Sequence, residues 1–305
     1  NNYLTNPAVG GIESYTDLRM GYRRQWSGLD GAPESFYASV HGSIGNPDRS
    51  NSPKARKSNR YGFSSRSSHR KAIAHHGVGA VAQTDKAGLL QTTSLNVSYS
   101  YHQPLTRYFT LASGVTGGFS QYSVNVTDAQ AFDPNDPYLS GGKLNATKLD
   151  LGIGFWLYTP DFYIGVSGMQ LLPSGNDFES IKTNAKANGR MQHHYYTTAG
   201  LRFQPSKEIA FVPSVMVKMT ETSAPAVDFN ARLMYAQRIW GGVSYRHTDA
   251  LAFMAGLNVN HVIDIGYSYD ATTSDLNKAS AGSHEVVLGL KLNNSRKIIC
   301  PTWMW

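Results

Sequence analysis

Residues 93–120, TSLNVSYSYHQPLTRYFTLASGVTGGFS, contain two alternating runs joined by a short turn. In the first, Leu95, Val97, Tyr99 and Tyr101 fall on one face of a strand, and Ser94, Asn96, Ser98, Ser100 and His102 fall on the other. In the second, Phe109, Leu111, Val115 and Phe119 oppose Thr110, Ala112, Gly114, Thr116 and Gly118. Pro104 in the link cannot donate to a ladder, so the chain turns there. The result is a β-hairpin with one apolar face and one small, polar face.

A soluble sandwich would bury the apolar face and use strands of about five or six residues. A membrane barrel would turn that face to lipid, with about nine to eleven residues per strand and aromatic side chains near both interfaces. Each run is about ten residues long, and Tyr99, Tyr101, Tyr108, Phe109, Phe119 and Tyr122 gather toward the ends. The barrel is the better fit.

Composition agrees with that choice. The chain is 41% hydrophobic and 16% charged, so it holds no run of about twenty apolar residues of the kind a spanning helix needs. Its 29 glycines suit a crowded lumen and its 18 tyrosines suit interfacial girdles. Cys300 is the single cysteine, which leaves no intramolecular disulfide and no cysteine-based metal site. The chain opens at Asn1-Asn2-Tyr3 without a charged-then-apolar leader, which says nothing against export.

Read in order, strands are expected near 17–26, 35–44, 72–83, the two opening runs, 147–158, 162–171, 195–203, 209–219, 227–235, 239–246, 251–260, 262–270 and 285–292, about fourteen in all. Every second link is short: 103–106, 159–161, 204–207, 236–238 and 260–261. Among the alternate links are three long ones, 121–146, 172–194 and 271–284. That segregation predicts an all-β, transmembrane, antiparallel up-and-down β-barrel, with short periplasmic turns, long extracellular loops and both chain ends in the periplasm. The chain reads as one domain over 1–305, with a periplasmic N-terminal segment at 1–16 and a periplasmic tail at 294–305. A barrel of this size lies between packed small barrels and open porins, so side chains, loops or the N-terminal segment could block its lumen.

The segment 46–71 breaks the pattern on the short-turn side. It carries eight of the 28 basic residues and one acid, Asp48, so the net charge of +7 is a local feature and not a nucleic-acid-binding surface. It is expected to be a basic periplasmic excursion that orders only against an acidic partner or anionic headgroups, with Lys54, Arg56, Lys57 and Arg60 as candidate partner contacts. On the opposite side, candidate extracellular partner contacts are Asp133, Asn135, Asp136 and Tyr138 in one loop, Asn176 and Phe178 in the next, and Asp275 and Asn277 in the third.

Asp150, Arg202, Asp228, Asn230, Arg232, Arg246, Asp264, Asp270 and Lys291 fall on the expected inner face. Their mixed signs suit a lumen braced by ion pairs better than a selectivity ring of one charge. His75-His76 and His193-His194 are adjacent pairs whose members point to opposite faces of a strand, so neither pair can chelate, and they read as interfacial histidines. Asp128, Asp133 and Asp136 could offer oxygen ligands to Ca²⁺ but lack the spacing of an EF-hand loop. No GxSxG, HExxH or P-loop pattern supports an enzyme, and no catalytic residue, cofactor site or metal site is assigned.

Asn6-Pro7-Ala8 with Gly10-Gly11, then Gly21-Tyr22-Arg23-Arg24-Gln25-Trp26 and Pro33 before a strand, resemble the start of the PorP/SprF family of type IX secretion membrane proteins of Bacteroidetes. Gly77-Val78-Gly79 with Asp85 and Gly88, Tyr99-Ser100-Tyr101, Leu111-Ala112-Ser113-Gly114 and Ser283-His284-Glu285 extend the resemblance over most of the chain, while Val9 stands where an aromatic residue is common. The resemblance implies a non-enzymatic outer-membrane barrel of the type IX secretion and gliding system. Such a barrel helps export a large adhesin, or attaches it to the cell surface through the adhesin's C-terminal domain. Implied partners besides membrane lipids are a periplasmic OmpA-like, peptidoglycan-binding lipoprotein and other type IX components. The rival reading is a passive outer-membrane pore or small-solute transporter.

Overall fold

The structure is a computed structural model that describes residues 1–45, 73–125, 143–172, 192–206, 208–247, 250–272, 280–294 and 298–299. The basic segment and all of the candidate partner contacts named above lie outside the described residues. Fourteen strands follow two short 3₁₀ turns: β1 Thr16–Arg24, β2 Glu34–Ile44, β3 His75–Ala87, β4 Leu90–Pro104, β5 Thr110–Asn125, β6 Lys143–Tyr158 and β7 Phe162–Met169 form the first half. The second half is β8 His194–Leu201, β9 Ile209–Thr220, β10 Ala226–Tyr235, β11 Ile239–Arg246, β12 Ala250–Asn258, β13 Ile263–Thr272 and β14 Ser283–Leu292.

Each strand pairs antiparallel with its sequence neighbours, and β1 pairs with β14, so the sheet closes on itself and leaves the up-and-down order unbroken. No described helix is long and apolar enough to cross a membrane; the crossing elements are the strands. The start of β1 and the end of β14 meet at one rim, where Thr16 stands opposite Leu292. Strand ends Asn125 and Lys143, Met169 and His194, and Thr272 and Ser283 lie toward the other rim.

The opening hairpin registers as its alternation requires. Leu95 pairs with Phe119, Val97 with Gly117 and Tyr99 with Val115, and Leu95, Val97, Tyr99, Val115 and Phe119 are all exposed on the outer surface. Ser100, His102, Ala112 and Thr116 from the same two strands are buried inside. Outward apolar side chains continue round the barrel, through Leu151 and Ile153, Phe229 and Leu233, Phe253 and Leu257, to Val286 and Leu288. An apolar surface that no described residue covers is what a hydrocarbon environment demands.

This assignment makes a paired prediction. Val97 is 62% exposed on the outer belt, and Val97→Arg is expected to cost about 2–4 kcal/mol near the bilayer mid-plane. Asn96 lines an internal polar cavity, so Asn96→Arg should assemble nearly as well as the parent. The fraction of heat-modifiable barrel recovered from membranes measures both, and equal yields from the two variants would mean that the faces are reversed.

Candidate functional site

The interior decides what the barrel can do, and its main occupant is the start of the chain. Residues 1–16 are expected from the sequence to be a periplasmic segment that is one of three candidates for blocking the lumen; in the structure residues 1–15 turn inward from the rim where β1 begins and pack in the lumen. Tyr3, Asn6, Ala8, Val9, Ile12, Glu13 and Tyr15 are all buried. The local sequence explains the compact path. Asn6 caps the 3₁₀ turn Pro7–Val9, its Oδ1 accepting from the Ala8 N–H at 3.0 Å, and Pro7 occupies the first position, where no N–H is needed.

The barrel wall is shaped to take this segment. At Gly114 a Cβ would lie 2.4 Å from the Ala8 nitrogen, and at Gly77 one would lie 2.1 Å from the Gly10 carbonyl oxygen. Only glycine permits such an approach of strand to plug. Tyr3, Ala8, Val9 and Ile12 form one apolar cluster with Ala112, Trp156, Tyr158 and Tyr163 of the wall, and the Trp156 and Tyr163 rings stack at 4.8 Å.

Polar links then fix the register of the plug. Asn6 Nδ2 donates to the carbonyls of Phe155 and Val166, both at 3.1 Å, and so joins β6 to β7 from inside. Ser167 Oγ donates to the Thr5 carbonyl at 2.6 Å. Ser100 Oγ and His102 Nε2 both reach the Gly10 carbonyl, at 2.5 and 2.8 Å. His102 therefore carries its proton on Nε2, and its Nδ1 accepts from the Tyr158 hydroxyl at 3.1 Å. His75 Nε2 lies 3.2 Å from the Gly11 carbonyl, and the Gly11 N–H donates to His41 Nδ1 at 3.3 Å. The Tyr3 hydroxyl meets Ser98 Oγ at 2.6 Å, and burial pushes that phenol up to about 12, so it stays neutral at physiological pH.

The rest of the lumen is braced by charge. Asp270 accepts from Arg23 at 2.7 Å and from Arg246 at 2.8 Å, tying β13 to β1 and β11. Lys291 reaches Asp264 at 3.2 Å, Lys218 reaches Asp228 at 2.5 Å, and the Arg232 guanidinium lies 4.5 Å from the centroid of the Trp240 ring. Above the plug, on the side away from the rim where β1 begins, a polar cavity of about 230 Å³ is floored by Tyr3, Leu4 and Pro7 and walled by residues that include Asp85, Asn96, Asp150 and His194.

The structure thus brings Asp228, Arg246, Asp264, Asp270 and Lys291 of the expected inner face into ion pairs, while Asp150, also buried, accepts from the Gln170 N–H. It separates His75 from His76 as strand geometry requires, with His76 outside and 2.6 Å from the Tyr99 hydroxyl. The interfacial reading of His75 is corrected, because its ring stacks on that of His102 at 4.4 Å inside the lumen. Among the described residues no group of three or more His, Cys, Asp or Glu could hold a metal ion. The histidine clasp was not found from the sequence; its signal was His41, His75 and His102 standing among glycine and serine on inner faces.

Comparisons with known proteins agree with the architecture. The crystal structure of the Acinetobacter baumannii outer membrane protein Omp33 superposes with a TM-score of 0.50 at 9% identity, covering 92% of this chain and 100% of that one. The crystal structure of a Pseudomonas aeruginosa FadL homologue gives a TM-score of 0.50 at 10% identity, covering 93% of this chain and 91% of that one. At such identities the likeness speaks for the fold alone. A search of functionally curated proteins found none that matches. The family model described as "Type IX secretion system membrane protein PorP/SprF" matches residues 1–290.

Proposed function

Since the chain belongs to the PorP/SprF family of type IX secretion system membrane proteins, we propose that this outer-membrane barrel is a closed, non-enzymatic partner for a large exported adhesin. It holds the adhesin, through the adhesin's C-terminal domain, during export or at the cell surface. What supports a holding role over passive conduction is the plug: an open pore needs a continuous lumen, and residues 2–12 stand in it, hydrogen-bonded to β4, β6 and β7. In this reading the rim where β1 begins and β14 ends faces the periplasm, links 126–142, 170–193 and 273–282 face outward, and the candidate contacts on them meet the adhesin.

Tagged protein purified from its native outer membrane should bring with it a large exported protein, and loss of the chain should leave that protein off the cell surface. Recovery of the barrel without any exported protein would remove the reading. The basic segment supplies a second arm. Its charge makes it the proposed dock for a periplasmic, peptidoglycan-binding lipoprotein or another secretion component. Replacing Lys54, Arg56, Lys57 and Arg60 by Ser should leave assembly intact while weakening salt-sensitive copurification of that partner. Unchanged recovery and unchanged adhesin display would return the segment to a spacer.

A further inference from the structure

Three histidines from neighbouring strands close on one point of the plug. His41 on β2, His75 on β3 and His102 on β4 are buried, and each bonds to Gly10 or Gly11, where the segment leaves its second 3₁₀ turn. The wall holds this point closely because it meets glycine: a Cβ on Gly11, whose φ is 72°, would lie 2.6 Å from the Gly77 Cα.

The three rings are not equivalent. His41 Nδ1 accepts the Gly11 N–H at 3.3 Å, so that nitrogen carries no proton. His102 donates from Nε2 to the Gly10 carbonyl at 2.8 Å and accepts the Tyr158 hydroxyl on Nδ1 at 3.1 Å. A proton added to His41 sets one N–H against another, and one added to His102 leaves Nδ1 unable to accept from Tyr158. His75 differs, because its two nitrogens face the carbonyls of Ile73 and Gly11, both at 3.2 Å, so a second proton on that ring gains a bond and loses none. Once charged, His75 opposes a charge on His102, whose ring it stacks against at 4.4 Å.

The charged groups around these rings do not offset such a proton. Residues 2–12 contain no Asp or Glu. Beside His41 stand the Tyr3 ring at 4.4 Å and, on β1, Asp17, whose carboxylate is already paired with Arg19 at 3.1 Å. Beside His102 stand His75, His41 and Tyr158, and Glu13 is buried near Tyr158.

We infer that this cluster is an acid-released latch, in which protonation of His41 and His102 frees residues 2–12 from the lumen wall. The sign follows from where protons bind. Both rings are neutral while the plug is docked; once water replaces it they take protons as histidines in solution do, at about 6.5, so release binds protons and is favoured as pH falls through that value. Each ring weights release by about 30-fold at pH 5 and about 100-fold at pH 4.5, and the two together by about 10⁴-fold at pH 4.5. A factor of about 10⁴ is enough to invert a plugged-to-open ratio of about 99:1.

Amide hydrogen exchange of the full-length barrel in detergent micelles, corrected for the intrinsic pH dependence of exchange, tests this. Between pH 7.5 and pH 4.5 the protection of the Gly10, Gly11 and Ile12 amides should fall by about 10³- to 10⁴-fold, while amides within the β4–β5 ladder keep theirs. His41→Asn keeps an acceptor where Nδ1 lies and His102→Gln keeps a donor where Nε2 lies, and neither replacement can be charged. The double variant should lose less than about tenfold over the same range. Parent protection that is unchanged at pH 4.5 would overturn the inference. So would a double variant that loses protection as the parent does, since a carboxylate such as Glu13 or Asp17 would then carry the pH dependence. Should the double variant not assemble, His41→Asn alone decides: its loss should shrink to about 100-fold, and a loss equal to the parent's would overturn the latch.

Discussion

Deleting residues 2–12 should turn a barrel that passes no steady current in a planar bilayer into an open channel. The expectation follows from what the segment does inside. Its buried side chains Tyr3, Ala8, Val9 and Ile12 pack against Ala112, Trp156, Tyr158 and Tyr163 of the wall, and the wall behind them is small because Gly77, Gly114 and Gly154 leave room for the backbone of the plug and for Asn6. With the segment gone, those glycines border an unfilled path that leads to the polar cavity above. No strand is lost, so the barrel should still assemble. Gly114→Leu offers the same outcome by another route. Its Cβ alone would sit 2.4 Å from the Ala8 nitrogen and 2.5 Å from the Pro7 carbonyl carbon, which are backbone atoms held by the caps and cannot rotate away. Overpacking of this kind costs about 1–3 kcal/mol, comparable with two or three of the plug's polar links at about 0.5–1.5 kcal/mol each. Gly114→Leu should therefore conduct intermittently where the deletion conducts steadily. If the deletion assembles and stays silent, the charge lattice of β9–β14 closes the lumen by itself and the plug is only a structural filler.

The barrel was legible in the sequence because one constraint dominates it: each crossing strand must alternate apolar and small or polar residues for about ten positions. Fourteen such runs could be found, and their bounds drift only where the constraint ends. The reading begins β6 at 147 and ends the second opening run near 120, whereas the strands reach Lys143 and Asn125. Those extra residues lie beyond the apolar row, where Gln121, Ser123 and Asn145 take the outer face and the alternation loses its contrast. The charged residues of the inner face were legible for the same reason, being exceptions on otherwise small faces. The plug was not. Tyr3, Val9 and Ile12 follow no period, and the glycines that receive the segment look like ordinary lumen glycines until register brings β3, β5 and β6 side by side. The pairing of His75 with His102 likewise exists only once β3 and β4 are aligned.

Asp270 should be the most costly charge to remove from the lumen. It is 3% exposed and accepts from two guanidiniums, Arg23 at 2.7 Å and Arg246 at 2.8 Å. Arg23 retains one weaker alternative, Glu285 at 3.5 Å, whereas among the described residues Arg246 makes no second ion pair, Asp228 opposite it across the β10–β11 ladder being taken by Lys218. Asp270→Ala therefore leaves two cations facing each other across a partly buried space and is expected to cost about 3 kcal/mol, the lower end of the range for breaking a buried pair because the two arginines keep some contact with water. Arg246→Ala should cost far less, about 1 kcal/mol, since Arg23 still neutralises Asp270. The two changes share a partner, so they should not add. Once Asp270 is gone, removing Arg246 relieves repulsion, and the double variant should be more stable than Asp270→Ala alone. Urea unfolding of the barrel in lipid vesicles gives the three free energies, and a double variant whose loss equals the sum of the single losses would show that Asp270 and Arg246 are not coupled.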